Sequence, residues 1–153
     1  MVERDEITGV GPEDFDRLVE LWEASVRATH DFVAEADIVR FRPLVRDALP
    51  QIPTFACVRD VDGRVAGFVA VSDRKVHMLF IDPARRGQGL RRRLLEHAVQ
   101  VLGASTLDVN EQNEQAVGFY LRLGFEVVGR SPVDDTGNPY PLLHMRLRPG
   151  RCG

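Results

Sequence analysis

The sequence lacks several features that would indicate a disulfide-rich, metal-binding, secreted or membrane protein. Its 153 residues include only two cysteines, Cys57 and Cys152, which are too few for a disulfide framework, and their spacing fits no metal site. Of the 20 basic residues only Lys75 is a lysine. The longest apolar run, residues 65–71, is far too short to span a bilayer, and the N-terminal residues lack the apolar core of a signal peptide. We therefore expect a reduced, cytoplasmic protein without a metal or a membrane partner.

The overall charge also narrows the possible functions. A net charge of −3 and a pI of about 5.8 argue against a nucleic-acid-binding protein, which would present a basic face. The hydrophobic fraction of 44% and the charged fraction of 28% are typical of a soluble globular protein. The length suits one domain. We expect residues 1–148 to form it and residues 149–153 to be a disordered tail.

Hydrophobic periodicity predicts an α+β fold with the element order β-α-α-β-β-β-α-β-α-β-β. The predicted strands cover about residues 4–10, 54–60, 65–72, 75–81, 106–109, 126–131 and 142–148. The first predicted helix begins at Pro12, and the other three cover about residues 36–49, 87–102 and 114–123. We expect a central mixed, mostly antiparallel sheet of about seven strands with about four helices. The continuous apolar run 65–71 indicates that helices cover both faces.

A glycine-rich turn joins the predicted strand 75–81 to the next helix. Gly87 and Gly89 lie where the strand gives way to the helix, and glycine allows close approach of a ligand to the backbone. The first amides of a helix have no internal partner and carry partial positive charge, so they suit a pyrophosphate. Arginines at positions 85, 86, 91, 92 and 93 surround the turn. The alternative is a plain turn into a helix with a basic, solvated face.

A second pattern surrounds the predicted helix 114–123. Asn113 is a good N-cap residue, and Tyr120 follows the apolar Phe119 within the helix. Gly124 and Phe125 end the segment. Asn113 could act as a cap only, and Tyr120 could be a core tyrosine whose hydroxyl reaches the rim.

Together these two segments resemble the GNAT superfamily, the GCN5-related N-acetyltransferases. Arg86 and Gly89 occupy the first two fixed positions of its acetyl-CoA signature, Gln/Arg-x-x-Gly-x-Gly/Ala. Arg91 occupies the third position, where the family usually has Gly or Ala, and its side chain could crowd the pyrophosphate or pair with a phosphate. Residues 28–32, 79–83, 110–120 and 140–143 resemble the small bacterial acetyltransferases of the YjaB type.

The resemblance implies a GNAT-like fold, acetyl-CoA as cosubstrate and a set of site residues. In such a fold the pantetheine arm inserts where two neighbouring strands splay apart. Main-chain groups of Phe80 and Ile81 would contact this arm, and the Asn113 amide would hydrogen-bond it. Tyr120 would protonate the departing thiolate. Backbone amides would hold the pyrophosphate at Arg86, Gly87, Gln88, Gly89, Leu90 and Arg91.

The base that deprotonates the acceptor amine is less well marked. Histidine titrates near neutral pH, and three histidines are candidates: His30, His77 and His144. His30 follows the first helix, where the family builds its acceptor pocket, and it ranks first because His30-Asp31 recurs in the YjaB-type acetyltransferases that the chain resembles. His77 is expected on the same strand face as Leu79 and Ile81. Any of the three could instead be a structural histidine.

Two acidic side chains are further candidates for contact with the acceptor amine. Asp134 and Asp135 lie in the polar loop before the last strand, where they could attract a cationic amine. The favoured interpretation of the pair is two solvated turn carboxylates.

The predicted function is therefore N-acetyl transfer from acetyl-CoA to a primary amine by direct attack on the thioester. A non-catalytic acyl-CoA-binding or sensor module is the main alternative. A nucleic-acid-binding module built on the arginine cluster is a third, which the acidic pI disfavours. The resemblance adds a homodimer as one oligomeric state. The acceptor stays open among protein N-termini, lysine side chains, polyamines, amino acids and aminoglycosides.

Overall fold

The computed structural model describes residues 6–149 and contains seven strands and four α-helices in that range. The strands are β1 (Ile7–Thr8), β2 (Thr54–Arg59), β3 (Val65–Ser72), β4 (Lys75–Ile81), β5 (Thr106–Asn110), β6 (Phe125–Ser131) and β7 (Leu142–Leu147). The helices are α1 (Phe15–Thr29), α2 (Glu35–Ala48), α3 (Leu90–Gln100) and α4 (Glu114–Arg122). Short 3₁₀ turns at Pro12–Asp14, Leu49–Gln51 and Pro83–Arg85 adjoin them. No helix in the described range is long and apolar enough to cross a membrane.

All seven strands form one sheet in the order β1-β2-β3-β4-β5-β7-β6. Only β4 and β5 run parallel, and every other neighbouring pair is antiparallel. The mixed, mostly antiparallel sheet predicted from the sequence is therefore confirmed.

Helices cover both faces of this sheet. On one face α3 and α4 pack on a core that includes Val69, Leu94 and Leu107. On the other face α1 packs on a core that includes Leu18 and Phe68. Residues 65–71 of β3 are all buried between the two layers, which explains their continuous apolar run.

The central strands part where β4 carries a β-bulge. Met78 pairs with Ala70 and Val76 with Val71, so His77 has no partner on β3. The parallel pairing of β4 with β5 is confined to Lys75–Thr106 and Val76–Leu107. Because a bulge bends its strand and increases its twist, β4 leaves β5 from this point. The result is an opening in the middle of the sheet.

The bulge also corrects the expected orientation of His77. Strand alternation predicted that His77 would share a face with Leu79 and Ile81. An extra residue shifts that alternation by one, so Val76 packs in the core with Leu79 and Ile81. His77 is exposed instead.

Some predicted boundaries differ from the structure. Helix α3 begins at Leu90 rather than at Gly87, because Gly87 and Gly89 have φ values of 78° and 77°, outside the helical region. Of the first predicted strand only Ile7–Thr8 forms, and residues 4–5 lie outside the described range. Residues 150–153 of the predicted tail also lie outside it.

Candidate active site

The opening between β4 and β5 forms a cleft of about 190 Å³. Helices α1 and α4 supply its walls from opposite faces of the sheet. Six of the residues predicted for the site line this cleft together: His30, His77, Phe80, Arg91, Asn113 and Tyr120.

A second cavity of about 190 Å³ lies over the turn that precedes α3. The remaining predicted cofactor residues, except Gln88, line it: Ile81, Arg86, Gly87, Gly89 and Leu90. The Gln88 side chain instead accepts a hydrogen bond from Arg85 Nε at 2.7 Å. The predicted residues therefore divide between two neighbouring cavities.

The turn presents a run of unused backbone amides. Within residues 6–149, none of the six amides from Gly87 to Arg92 has a hydrogen-bond acceptor, whereas the next, Arg93, donates to the Gly89 carbonyl at 3.1 Å. A Cβ atom added at Gly87 or Gly89 would meet nothing within 4 Å, so the space beside the turn is open. Positive φ at both glycines and the start of α3 concentrate these donors at one place, which suits a pyrophosphate.

Main-chain groups of β4 face the cleft where β5 has parted from it. The Asp82 amide donates to Ala66 on the β3 side. Since successive amides of a strand point to opposite edges, the Phe80 amide also points toward β3, and those of Leu79 and Ile81 point toward the cleft. Phe80 thus contributes its side chain to the cleft, and Leu79 is a main-chain donor that the sequence analysis missed.

His30 and Asn113 form a polar link across the cleft. Asn113 Oδ1 caps α4 by accepting from the Ala116 amide at 3.3 Å, and its Nδ2 lies 3.3 Å from His30 Nε2. Thr29 Oγ1 donates to the Ser25 carbonyl and lies 2.7 Å from His30 Nδ1. This pattern requires a neutral imidazole that donates from Nδ1 and accepts at Nε2. Burial, with the nearby charge of Arg91, lowers the pKa of His30 to about 4.

Tyr120 lines the cleft and is buried, with 8% of its surface exposed. Its ring packs edge-on against Phe119 and Phe125, at centroid distances of 5.3 and 6.0 Å. Burial raises the pKa of Tyr120 to about 12, although the charge of Arg91 opposes this rise. The hydroxyl is therefore a phenol at neutral pH. It makes no hydrogen bond to any part of the chain that the structure describes.

Asp108 is a cleft residue that the sequence analysis did not identify. Its carboxylate accepts from Lys75 Nζ and from His144 Nδ1, each at 2.6 Å. His144 Nε2 lies 2.7 Å from Ser131 Oγ, which extends the chain of contacts to β6. Burial would raise the pKa of Asp108, but the hydrogen bonds from Lys75 and His144 hold it below its usual value. The grouping depends on the Asp108–His144 register of β5 and β7.

The loop between β6 and β7 packs against helix α2 and the segment that joins α1 to α2. The Tyr140 hydroxyl donates to the Asp37 carboxylate and accepts from the Ala34 amide, and the Tyr140 ring lies 6.2 Å from that of Phe32. Asp134 Oδ1 accepts from the Thr136 and Asn138 amides within this loop. Asp134 therefore shapes the turn, as the favoured interpretation held.

The two cavities and their fold define a class of enzyme. The sequence model of the family described as "Acetyltransferase (GNAT) domain" matches residues 44–148. The chain therefore belongs to the GNAT family, as the two sequence signatures predicted. It is an N-acetyltransferase that uses acetyl-CoA as the donor and an amine as the acceptor. This supports the enzyme over the non-catalytic acyl-CoA-binding module.

Individual proteins of known name are similar to this chain over most of its length. The chain is 47% identical over 133 residues to Peptidyl-lysine N-acetyltransferase YjaB of Salmonella typhimurium, covering 87% of this chain and 91% of that protein. It is 48% identical over 133 residues to YjaB of Escherichia coli, covering 87% and 90%. The solution structure of apo YjaB from E. coli superimposes with a TM-score of 0.84 at 43% identity, covering 94% and 97%.

A more distant structure shares the fold alone. The PaiA N-acetyltransferase of Thermoplasma acidophilum, solved in complex with coenzyme A, superimposes with a TM-score of 0.71 at 18% identity. The alignment covers 95% of this chain and 100% of that one.

Proposed function

We propose that this enzyme acetylates lysine side chains of proteins. The observation that carries the proposal is the identity of 47–48% over 87% of the chain to two proteins named peptidyl-lysine N-acetyltransferases. A third protein of that name, YiaC of E. coli, is 30% identical over 80% of the chain. A cytoplasmic location and a homodimer stay predictions from the sequence.

In this proposal acetyl-CoA lies across both cavities. The free amides from Gly87 to Arg92 hold its pyrophosphate. The pantetheine arm enters the gap between β4 and β5 and accepts hydrogen bonds from the amides of Leu79 and Ile81, which have no acceptor on β5 there. Asn113 Nδ2 carries a second hydrogen besides the one directed at His30, and that hydrogen is available to the arm.

The thioester carbonyl then lies near the β4 amides, and its sulfur lies near Tyr120. An amide that donates to the carbonyl oxygen stabilises the negative charge that develops there during attack. Tyr120 stays protonated because of its raised pKa and has no competing acceptor among the described residues. It is therefore suited to donate its proton to the departing thiolate.

On the acceptor side we assign the proton acceptor to Asp108, supported by His144. Asp108 provides the carboxylate in the described lining of the cleft, and it is ionised at neutral pH. It can attract the lysine ammonium, and it can accept the proton that becomes acidic on the nitrogen once the N–C bond to the thioester carbon forms, while His144 Nδ1 continues to donate to the same carboxylate. His30 fits this role less well, because both of its ring nitrogens are engaged in contacts with Thr29 and Asn113. His77 is exposed, with Nε2 3.3 Å from the Ser72 carbonyl.

A pair of matched peptides tests the acceptor. One peptide carries a single lysine and a blocked N-terminus, and the other carries arginine in place of lysine and a free N-terminus. We expect release of the CoA thiol and one acetyl adduct, located by mass spectrometry, only with the lysine peptide. Acetylation of Lys75, the only lysine of the enzyme, would release CoA equally with both peptides, so the arginine peptide measures that background.

The Tyr120→Phe variant is the negative control for the same assay. General acid catalysis contributes about 10²- to 10⁴-fold, so turnover should fall by at least about 100-fold while acetyl-CoA binding changes little. Acetylation of the free α-amine alone, or of polyamines alone, would contradict a lysine acceptor. An unchanged rate in the variant would remove Tyr120 from the mechanism.

A further inference from the structure

Arg91 occupies a position that links the two cavities. It is the second residue of α3, and it replaces the Gly or Ala that is usual in the family signature. Of the described residues, Arg91 alone lines both the cleft between β4 and β5 and the cavity over the turn. A cofactor with its pyrophosphate on the turn and its thioester beside Tyr120 must pass this side chain.

The guanidinium of Arg91 carries a charge that no carboxylate neutralises within residues 6–149. Its neighbour Arg92 differs, because Arg92 Nε pairs with Glu96 Oε1 at 2.7 Å. Arg91 instead stacks on the ring of Phe119, with its Cζ 5.1 Å from the ring centroid. Such stacking leaves the five N–H donors of the guanidinium at its edge, free for a ligand. An unpaired, half-buried guanidinium beside six free amides favours an anion.

We propose that the Arg91 side chain is a ligand of the cofactor pyrophosphate, held in place by Phe119. The inference rests on the binding of acetyl-CoA at this turn. Arg91 thus adds a charge-assisted hydrogen bond to the contacts that backbone amides make. The usual Gly or Ala of the signature has no side chain that could supply such a bond. The long side chain is therefore part of the cofactor site and not an obstruction in it.

Two acetyl donors distinguish a pyrophosphate ligand from a side chain that acts at the thioester or obstructs the cleft. Acetyl-CoA contains the pyrophosphate, whereas S-acetylpantetheine has the same thioester and arm without it. Loss of charge-assisted hydrogen bonds should weaken binding by about 10- to 100-fold. For Arg91→Gln we expect that loss in Kd and in kcat/KM with acetyl-CoA, and no loss in kcat/KM with S-acetylpantetheine. Arg91→Lys should restore part of the affinity, with a stronger dependence on salt.

Arg46→Gln is the matched control, because Arg46 also stacks on a phenylalanine, with Cζ 5.4 Å from the Phe15 centroid, but lies outside both cavities. Arg46→Gln should leave the Kd for acetyl-CoA unchanged, and kcat/KM unchanged with either donor. Equal losses with both donors in Arg91→Gln, with an unchanged melting temperature, would place Arg91 at the thioester and overturn the proposal. Tighter binding of both donors would identify Arg91 as an obstruction. Because Kd is measured without an acceptor, the result does not depend on lysine being the substrate.

Discussion

At the scale of single residues, the acceptor side of the cleft depends on how Asp108 is partnered. Its carboxylate is shared between Lys75 and His144 and is largely buried, with 16% of its side chain exposed. Attraction between an ammonium and a carboxylate is stronger in such a partly desolvated site than in water. The lysine-binding energy in this enzyme should therefore depend on this one charge.

Replacing Asp108 by Asn should raise KM for a lysine peptide and lower kcat, because the amide has no charge to attract the ammonium and accepts no proton. We expect a fall of about 100-fold or more in kcat/KM, in the range of a general base, with an unchanged Kd for acetyl-CoA. Steady-state kinetics and calorimetry measure the two quantities. Asp135→Asn, an exposed change in the β6–β7 loop, should leave both unaltered. A peptide KM that stays constant in Asp108→Asn would contradict the assignment.

At the scale of elements, the sequence predicts most of this fold because helical and strand periodicity are local properties. Helices α2 and α4 begin and end within a residue of their predicted bounds, and β3 and β4 agree fully. The start of α3 and the bulge at His77 were missed, because hydrophobic spacing indicates neither the backbone conformation of a glycine nor an unpaired strand residue. Asp108 was missed for a related reason: its partners come from β4 and β7, and only strand register brings them together.

The turn before α3 shows what its glycines contribute. Gly89 is the N-cap of α3 with φ of 77°, and an added Cβ would touch nothing within 4 Å. The Gly89→Ala substitution is therefore strained by backbone conformation alone, at a cost of about 1 to 2 kcal/mol. We expect a lower unfolding free energy by that amount and weaker acetyl-CoA binding, because relaxation of the turn moves its free amides. Urea unfolding and calorimetry measure these changes.

Gly118→Ala is the matched control, since Gly118 lies inside α4 without a positive φ. Its added Cβ would meet only the flexible end of Arg122, at 3.2 Å. That substitution should stabilise the protein by about 0.4 to 1 kcal/mol. If Gly89→Ala proved equally harmless, the left-handed conformation would not be required at the turn.

At the scale of the whole molecule, the His30–Asn113 contact joins helices that lie on opposite faces of the sheet. Helix α1 ends at Thr29, just before His30, and Asn113 caps the start of α4. The contact therefore bridges the two layers across the opening where β4 and β5 no longer pair. It requires neutral His30, because Nε2 must accept the hydrogen bond. The stability of the whole fold is consequently linked to the protonation of one imidazole.

The sign of that linkage follows from a pKa of about 4 in the folded chain against 6.5 for an unperturbed histidine. Between these values the unfolded chain binds a proton that the folded chain does not, so the stabilisation is complete above pH 6.5 and is lost as the pH falls toward 4. From pH 7 to pH 5 the loss should be about 2 kcal/mol in unfolding free energy. The His30→Gln variant cannot take up this proton, so its stability should fall less over the same range. Urea unfolding of both proteins at each pH isolates the effect, because the other ionisable groups are common to both. Parallel curves for the two proteins would show that His30 is not held neutral by the fold.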